Sequence, residues 1–197
     1  MSRNKTSQVL ERQGWLDPIA NTLQQIVRTA YRLDRNGKVK DALHGKWLGH
    51  PLHAAITDLP IGAWTTAVLL DGIETVTQRE EIGPGADAAI GIGLIGAVGA
   101  AATGLTDYQN VGGTARRVGI VHGVLNIVTS SFFTASFITR KRGSRTAGKA
   151  LALAGLGVGM FAAKLGGELV YDHGIGVEDG NETSEPSVNK PGIALAG

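Results

Sequence analysis

His50 and His53 stand three residues apart, a spacing that sets two imidazoles on one face of a helix. Asp58, Asp107, His122, Asn126, Lys164, Glu168, Asp172 and His173 follow along the chain. Imidazole and carboxylate together make up the nitrogen–oxygen donor set that zinc or iron accepts. On that basis His50, His53, His122, Asp58, Asp107 and Glu168 are the candidate metal ligands, and a hydrolytic zinc or iron site is one reading. Two imidazoles on facing helices can also hold the iron of a b-type haem. That reading takes His53 and His122 as the axial pair and Lys164 or Arg116 as partners for the propionates. The same residues have a plainer use, because His and Asn inside a membrane form interhelical hydrogen bonds worth about 0.6–2 kcal/mol. His44, in a basic loop, and His173, beyond the last apolar stretch, read as exposed. No catalytic residue is assigned, and whether the chain is an enzyme stays open.

The composition narrows the chemistry further. The 197 residues contain no cysteine, which excludes a disulfide scaffold, a thiolate zinc site, an iron–sulfur cluster held by this chain and a Cys nucleophile. Nineteen basic and seventeen acidic side chains are too balanced to argue for nucleic acid. Gly91-Ile-Gly93-Leu-Ile-Gly96 matches a dinucleotide-binding glycine pattern, but no strand or βαβ unit surrounds it.

The elements that must position these residues are apolar and long. Four stretches, at about residues 51–76, 88–106, 118–139 and 150–171, hold little charge, and a bilayer core of roughly 30 Å needs about 20 helical residues. The second and third qualify outright. The first and fourth contain Asp58, Asp71, Lys164 and Glu168, which must face inward or sit near an end. Twenty-nine glycines suit such a chain, because each costs a water-exposed helix roughly 1 kcal/mol but lets membrane helices approach, as in Gly155-Leu-Gly-Val-Gly159. Pro51 suits a first helical position, and Pro60 predicts a kink in the first span.

The predicted fold is all-α. Residues 47–177 form a four-helix transmembrane bundle, preceded by an N-terminal segment (1–46) with an amphipathic helix and followed by a disordered acidic tail (178–197). The amphipathic helix begins at Asp17-Pro18, with Leu16, Ile19, Leu23, Ile26, Val27, Ala30 and Tyr31 at helical spacing, and suits the membrane interface. No signal peptide is expected, since the first 45 residues lack an apolar core. Four antiparallel spans bring His50, His53, Asp58, Asp107, His122, Asn126, Glu168, Asp172 and His173 to one end. Orientation is a tie: Arg35, Lys38, Lys40, Lys46, Arg116 and Arg117 lie at that end, and Arg79, Arg140, Lys141, Arg142, Arg145 and Lys149 at the other.

Leu43-His-Gly-Lys-Trp-Leu-Gly-His-Pro-Leu-His53, Thr57-Asp-Leu-Pro-Ile-Gly-Ala-Trp64 with Asp71, Ala102-Thr-Gly-Leu-Thr-Asp107, Arg116-Arg-Val-Gly-Ile-Val-His-Gly-Val-Leu-Asn126 and Leu165-Gly-Gly-Glu-Leu-Val-Tyr171 carry a resemblance. Over about residues 41–177 the chain resembles bacterial membrane proteins of domain-of-unknown-function family 2231. Relatives often have His where Glu168 stands, and some are joined to Rieske or cytochrome-type domains. The resemblance therefore implies electron transfer in a bacterial cytoplasmic membrane. A separate iron–sulfur or cytochrome protein would be the redox partner, the lipid bilayer the surroundings, and a homo-oligomer is compatible with it.

Overall fold

Residues 5–175 are described in a computed structural model, and they contain seven α-helices and no strand. The expectation on the 178–197 tail lies outside the described residues. Three short elements come first: α1 (Lys5–Glu11), α2 (Leu16–Tyr31) and α3 (Lys38–His44). Four long ones follow: α4 (Leu52–Thr77), α5 (Gly83–Tyr108), α6 (Gly113–Lys141) and α7 (Arg145–Tyr171), with a 3-10 turn at Glu80–Ile82 before α5. Each predicted apolar stretch became one of the long helices. The helices overrun the apolar stretches because charged and glycine residues at the ends continue the turns, as Gly83-Pro84 does with proline in the first turn of α5.

The stretches 80–108, 113–141 and 145–171 are long and apolar enough to cross a membrane. Helix α4 matches them in length, at 26 residues, but His53, Asp58, Asp71 and Glu74 interrupt its apolar character. It runs unbroken through Pro60. Pro51 sits one step earlier than expected, as the extended residue before the first turn.

Short connections make α4–α5 and α6–α7 into antiparallel hairpins. The hairpins meet through α5 against α6 and α4 against α7. Trp64 of α4 and Phe133 of α6 stack at the centre, ring centroids 4.3 Å apart and nearly parallel, with Ala67, Ile90 and Ala152 around them. The stack needs glycine beside it. A Cβ on Gly93 would overlap the Trp64 indole, and one on Gly155 would come within 3.1 Å of the Phe133 ring.

The short helices gather at the end where α4 and α6 begin. Helix α2 buries Leu16, Ala20, Gln24 and Val27 and packs Leu16 and Ala20 with Ile120. It starts before the predicted Asp17-Pro18 cap, because Asp17 is drawn to other partners: Arg116 and Arg117 of α6, at 3.0 and 2.6 Å. Those guanidiniums, Arg117 above all, hold the Asp17 carboxyl down at about 2. Farther along, Gln24 donates to the carbonyls of Tyr108 and Val111, Arg28 to that of Gln109, and Tyr31 bonds Thr106. Side chains of α2 thus satisfy carbonyls that the end of α5 leaves without a helical partner. The helix crosses from α6 to α5 instead of running along either.

Candidate functional site

Polar side chains collect in two layers, one at each end of the long helices. At the first, the imidazole of His53 reaches from α4 to α5. Its Nδ1 lies 2.9 Å from the Ala100 carbonyl and 3.2 Å from the Thr103 hydroxyl. A carbonyl only accepts, so Nδ1 carries the proton and Nε2 presents a lone pair. Nε2 of His53 has no hydrogen-bond partner among the described residues. His122 reaches from α6 to α7 in the same way, its Nδ1 donating to the Ala162 carbonyl at 2.8 Å. Its Nε2 accepts from the Asn126 amide at 3.1 Å, one turn along α6. Each ring lies against a glycine of the helix it reaches: a Cβ would come within 2.8 Å of His53 at Gly104 and within 3.0 Å of His122 at Gly166.

The likeness of the two imidazoles extends along the hairpins. His53, Trp64 and Asp71 recur at the same intervals as His122, Phe133 and Arg140. Ala100, Gly104 and Gly93 of α5 stand to α4 as Ala162, Gly166 and Gly155 of α7 stand to α6. The fold is two hairpins repeating one pattern. Equivalent residues touch where the helices face each other, Trp64 on Phe133 and Asp71 on Arg140.

The second layer escaped the sequence reading, which placed the site at the His end. The Arg140 side chain is 1% exposed. It donates to both carboxylate oxygens of Asp71, to Asp87 at 3.2 Å and to Ser136 at 3.1 Å. Arg145 clasps Glu74 through Nε at 2.7 Å and Nη2 at 2.8 Å and reaches Asp87 at 3.0 Å. Lys149 adds a contact to Glu74 at 3.2 Å. Every acid of this layer belongs to α4–α5 and every base to α6–α7. Asp71 and Glu74, one turn apart in the second half of a mainly apolar helix, were the available signal, since buried carboxylates require cationic partners.

The remaining predicted site residues scatter. His50 is exposed in the turn before α4, and Asp58 lies on its outer face. Asp107 bonds His44 at 2.6 Å, which corrects the reading of His44 as merely exposed. Half-buried His173 lies 3.4 Å from the Ser7 hydroxyl. Glu168 is buried and faces α1 and its own helix, bonding Ser7 at 3.3 Å and Lys164 at 3.4 Å. Lys164 also bonds Thr6 at 2.9 Å, and Arg116 is engaged by Asp17 and Asn21. Among the described residues no three His, Asp or Glu side chains gather as a metal ion would need.

Bis-imidazole ligation of haem requires both Nε2 lone pairs. His53 offers one, whereas that of His122 is engaged by Asn126, and the space beside each glycine is filled by the imidazole itself. The chain fits such a group on one side only. The arrangement does close hydrogen bonds and ion pairs between helices at both ends.

Residues 49–179 match the family described as "Predicted membrane protein (DUF2231)". No curated protein and no solved structure matches the chain.

Proposed function

The chain belongs to the DUF2231 family of predicted membrane proteins, and from that premise we propose that it is a four-span, non-enzymatic scaffold or assembly subunit of a membrane. Helix α4 is the fourth span in this reading. Asp71 and Glu74 face the other hairpin, and His53 and Asp58 lie within its first two turns, toward the end where the cost in lipid is lower. The observation that carries the reading is His122, both of whose ring nitrogens have partners within the chain. A half-buried imidazole with both ring nitrogens engaged, one of them by a carbonyl of another helix, works as interhelical glue. The test is the full-length protein purified from cells supplied with haem. The expected outcome is a colourless protein without stoichiometric metal, whose His122→Ala variant loses stability and nothing else. A Soret band that disappears in that variant would overturn the reading.

A b-type haem redox subunit is the second reading, favoured by the unpartnered Nε2 of His53 at the position equivalent to His122. It would give the protein one-electron chemistry with a separate iron–sulfur or cytochrome partner, and it requires Asn126 to release the His122 ring.

A further inference from the structure

The circumference of α2 divides into three sectors of about a third each at 3.6 residues per turn. Leu16, Ala20, Gln24 and Val27 face the long helices. Trp15, Ile19, Ile26 and, just past the helix, Leu33 form a second sector, between 50% and 88% exposed. A third sector holds a shallow groove of about 350 Å³ lined by Asn21, Gln24, Gln25, Arg28, Thr29 and Arg32. A helix lying beside the ends of membrane spans needs these three faces: one for the protein, one for acyl chains, one for headgroups. The apolar sector continues in α3 and the turn after it, where Val39 and Trp47 are 56% and 69% exposed.

Charge distinguishes this end from the other. Five of the six bases that the sequence assigns to the far end are paired with acids: Arg79, Arg140, Lys141, Arg145 and Lys149. Near α2 and α3, Arg32, Arg35, Lys38 and Lys40 have no ion pair among the described residues. The neighbouring acids are occupied, Asp34 by the Lys40 backbone N–H at 2.9 Å and Asp41 by Lys46 at 2.6 Å. The equal count of bases therefore hides an unequal supply of free positive charge.

We propose that α2 with Trp15 just before it, α3 and the turns after each form a docking surface for an anionic lipid leaflet, with Trp15, Ile19, Ile26, Leu33 and Trp47 among the acyl chains and Arg32, Arg35, Lys38 and Lys40 on the phosphates. The occupant is lipid because α2 crosses the ends of α5 and α6, at the level where spanning helices leave the hydrocarbon. Unpaired bases beside exposed tryptophans complement a negative headgroup layer.

The three tryptophans make the test direct, since Trp64 is buried and Trp15 and Trp47 are exposed. The full-length protein, its Trp15→Phe and Trp47→Phe variants, and an Arg32→Gln/Arg35→Gln/Lys38→Gln/Lys40→Gln variant are reconstituted in vesicles of phosphatidylcholine with brominated acyl chains, with or without phosphatidylglycerol. The emission that Trp15 and Trp47 contribute is expected to be quenched by bromine, by at least about two-fold more when phosphatidylglycerol is present. The four-Gln variant loses that difference, while Trp64 emission stays constant as a check on folding. Equal quenching in both lipid mixtures overturns the proposal, because it means apolar contact without recognition of anionic lipid. Unquenched emission overturns it too: at long wavelength the face is in water, and at short wavelength another protein or a second copy covers it.

Discussion

Replacing Arg140 by Met leaves a side chain of similar length with no donor. In the folded protein Asp71, 7% exposed at its side chain, then loses a two-pronged partner, and Asp87 and Ser136 each lose a bond. Breaking a buried ion pair by removing one member costs about 3–5 kcal/mol, because an uncompensated buried charge remains. That cost corresponds to roughly a hundred- to several-thousand-fold fall in the ratio of folded to unfolded protein, at 1.4 kcal/mol per factor of ten. Arg145 lies 3.8 Å from Asp71 and takes up part of the charge, which sets the expectation at the lower end of the range. The double variant Arg140→Met/Asp71→Leu removes both charges and should recover most of the loss, since apolar replacement of a whole buried pair is often neutral. Helicity followed by circular dichroism during titration of detergent-solubilised protein with a denaturing surfactant gives both numbers. A cost for Arg140→Met under about 1 kcal/mol, the value of an exposed pair, or a double variant no better than the single, would contradict a buried, mutually dependent pair.

Gly93→Ala drives a methyl into the Trp64 indole and should cost about 1–3 kcal/mol as overpacking, whereas Gly157→Ala, with open space around it, should be neutral or stabilising by up to about 1 kcal/mol; thermal unfolding compares them. Asn126→Ala should lower stability by about 0.6–2 kcal/mol by taking the donor from His122, an effect largely absent in the His122→Ala background if the two residues form one unit in a double-mutant cycle. The Asp17 pair contributes stability above the ordinary carboxylate range, and that contribution fades as pH falls from about 4 towards 2, because the folded-state value is depressed. The protection of α2 amides against hydrogen exchange, relative to the unfolded-chain rate at the same pH, should accordingly fall in acid, and Asp17→Asn should show the lowered protection already at neutral pH. Single cysteines at positions 46 and 173 should label from the same side of the membrane, with one at 143 labelling from the other, and opposite sides for 46 and 173 would refute four spans.

Much of the fold is written in the local pattern of apolar residues. Each long helix follows a run that is mainly apolar, broken by Asp58, Asp71 and Glu74 in α4 and by Lys164 and Glu168 in α7, and glycines such as Gly93, Gly104, Gly155 and Gly166 mark where helices approach. The helix around Leu16–Tyr31 was legible for the same reason, but its start was not. Asp17 looked like a cap because that judgement is local, and the residues that claim it, Arg116 and Arg117, lie on α6 far along the chain. His44 was misread for a like reason, since its partner Asp107 closes a different helix. The repeat between hairpins is only partly visible as residue identity. Of the three equivalent positions on α4 and α6, one has the same residue type (His53 and His122), one pairs Trp64 with Phe133, and one pairs Asp71 with Arg140. The last pair is an ion pair of unlike residues that matching of identical residues does not find, although His53 and His122, Ala100 and Ala162, Gly93 and Gly155, and Gly104 and Gly166 are identical. The two layers of polar residues were visible as residue types, and only their pairing across helices needed three dimensions.

Central to the proposed role, the half-buried imidazoles of His53 and His122 each bond one helix of the protein to another. Nitrogen NMR of the full-length protein in bilayers, with histidine labelled in both ring positions, reads this at the atoms concerned. The account predicts, for His122, a protonated Nδ1 bonded to the Ala162 carbonyl and an unprotonated Nε2 that shifts when Asn126 is replaced by Ala. An Nε2 resonance displaced or broadened by bound iron, and indifferent to Asn126→Ala, would contradict it.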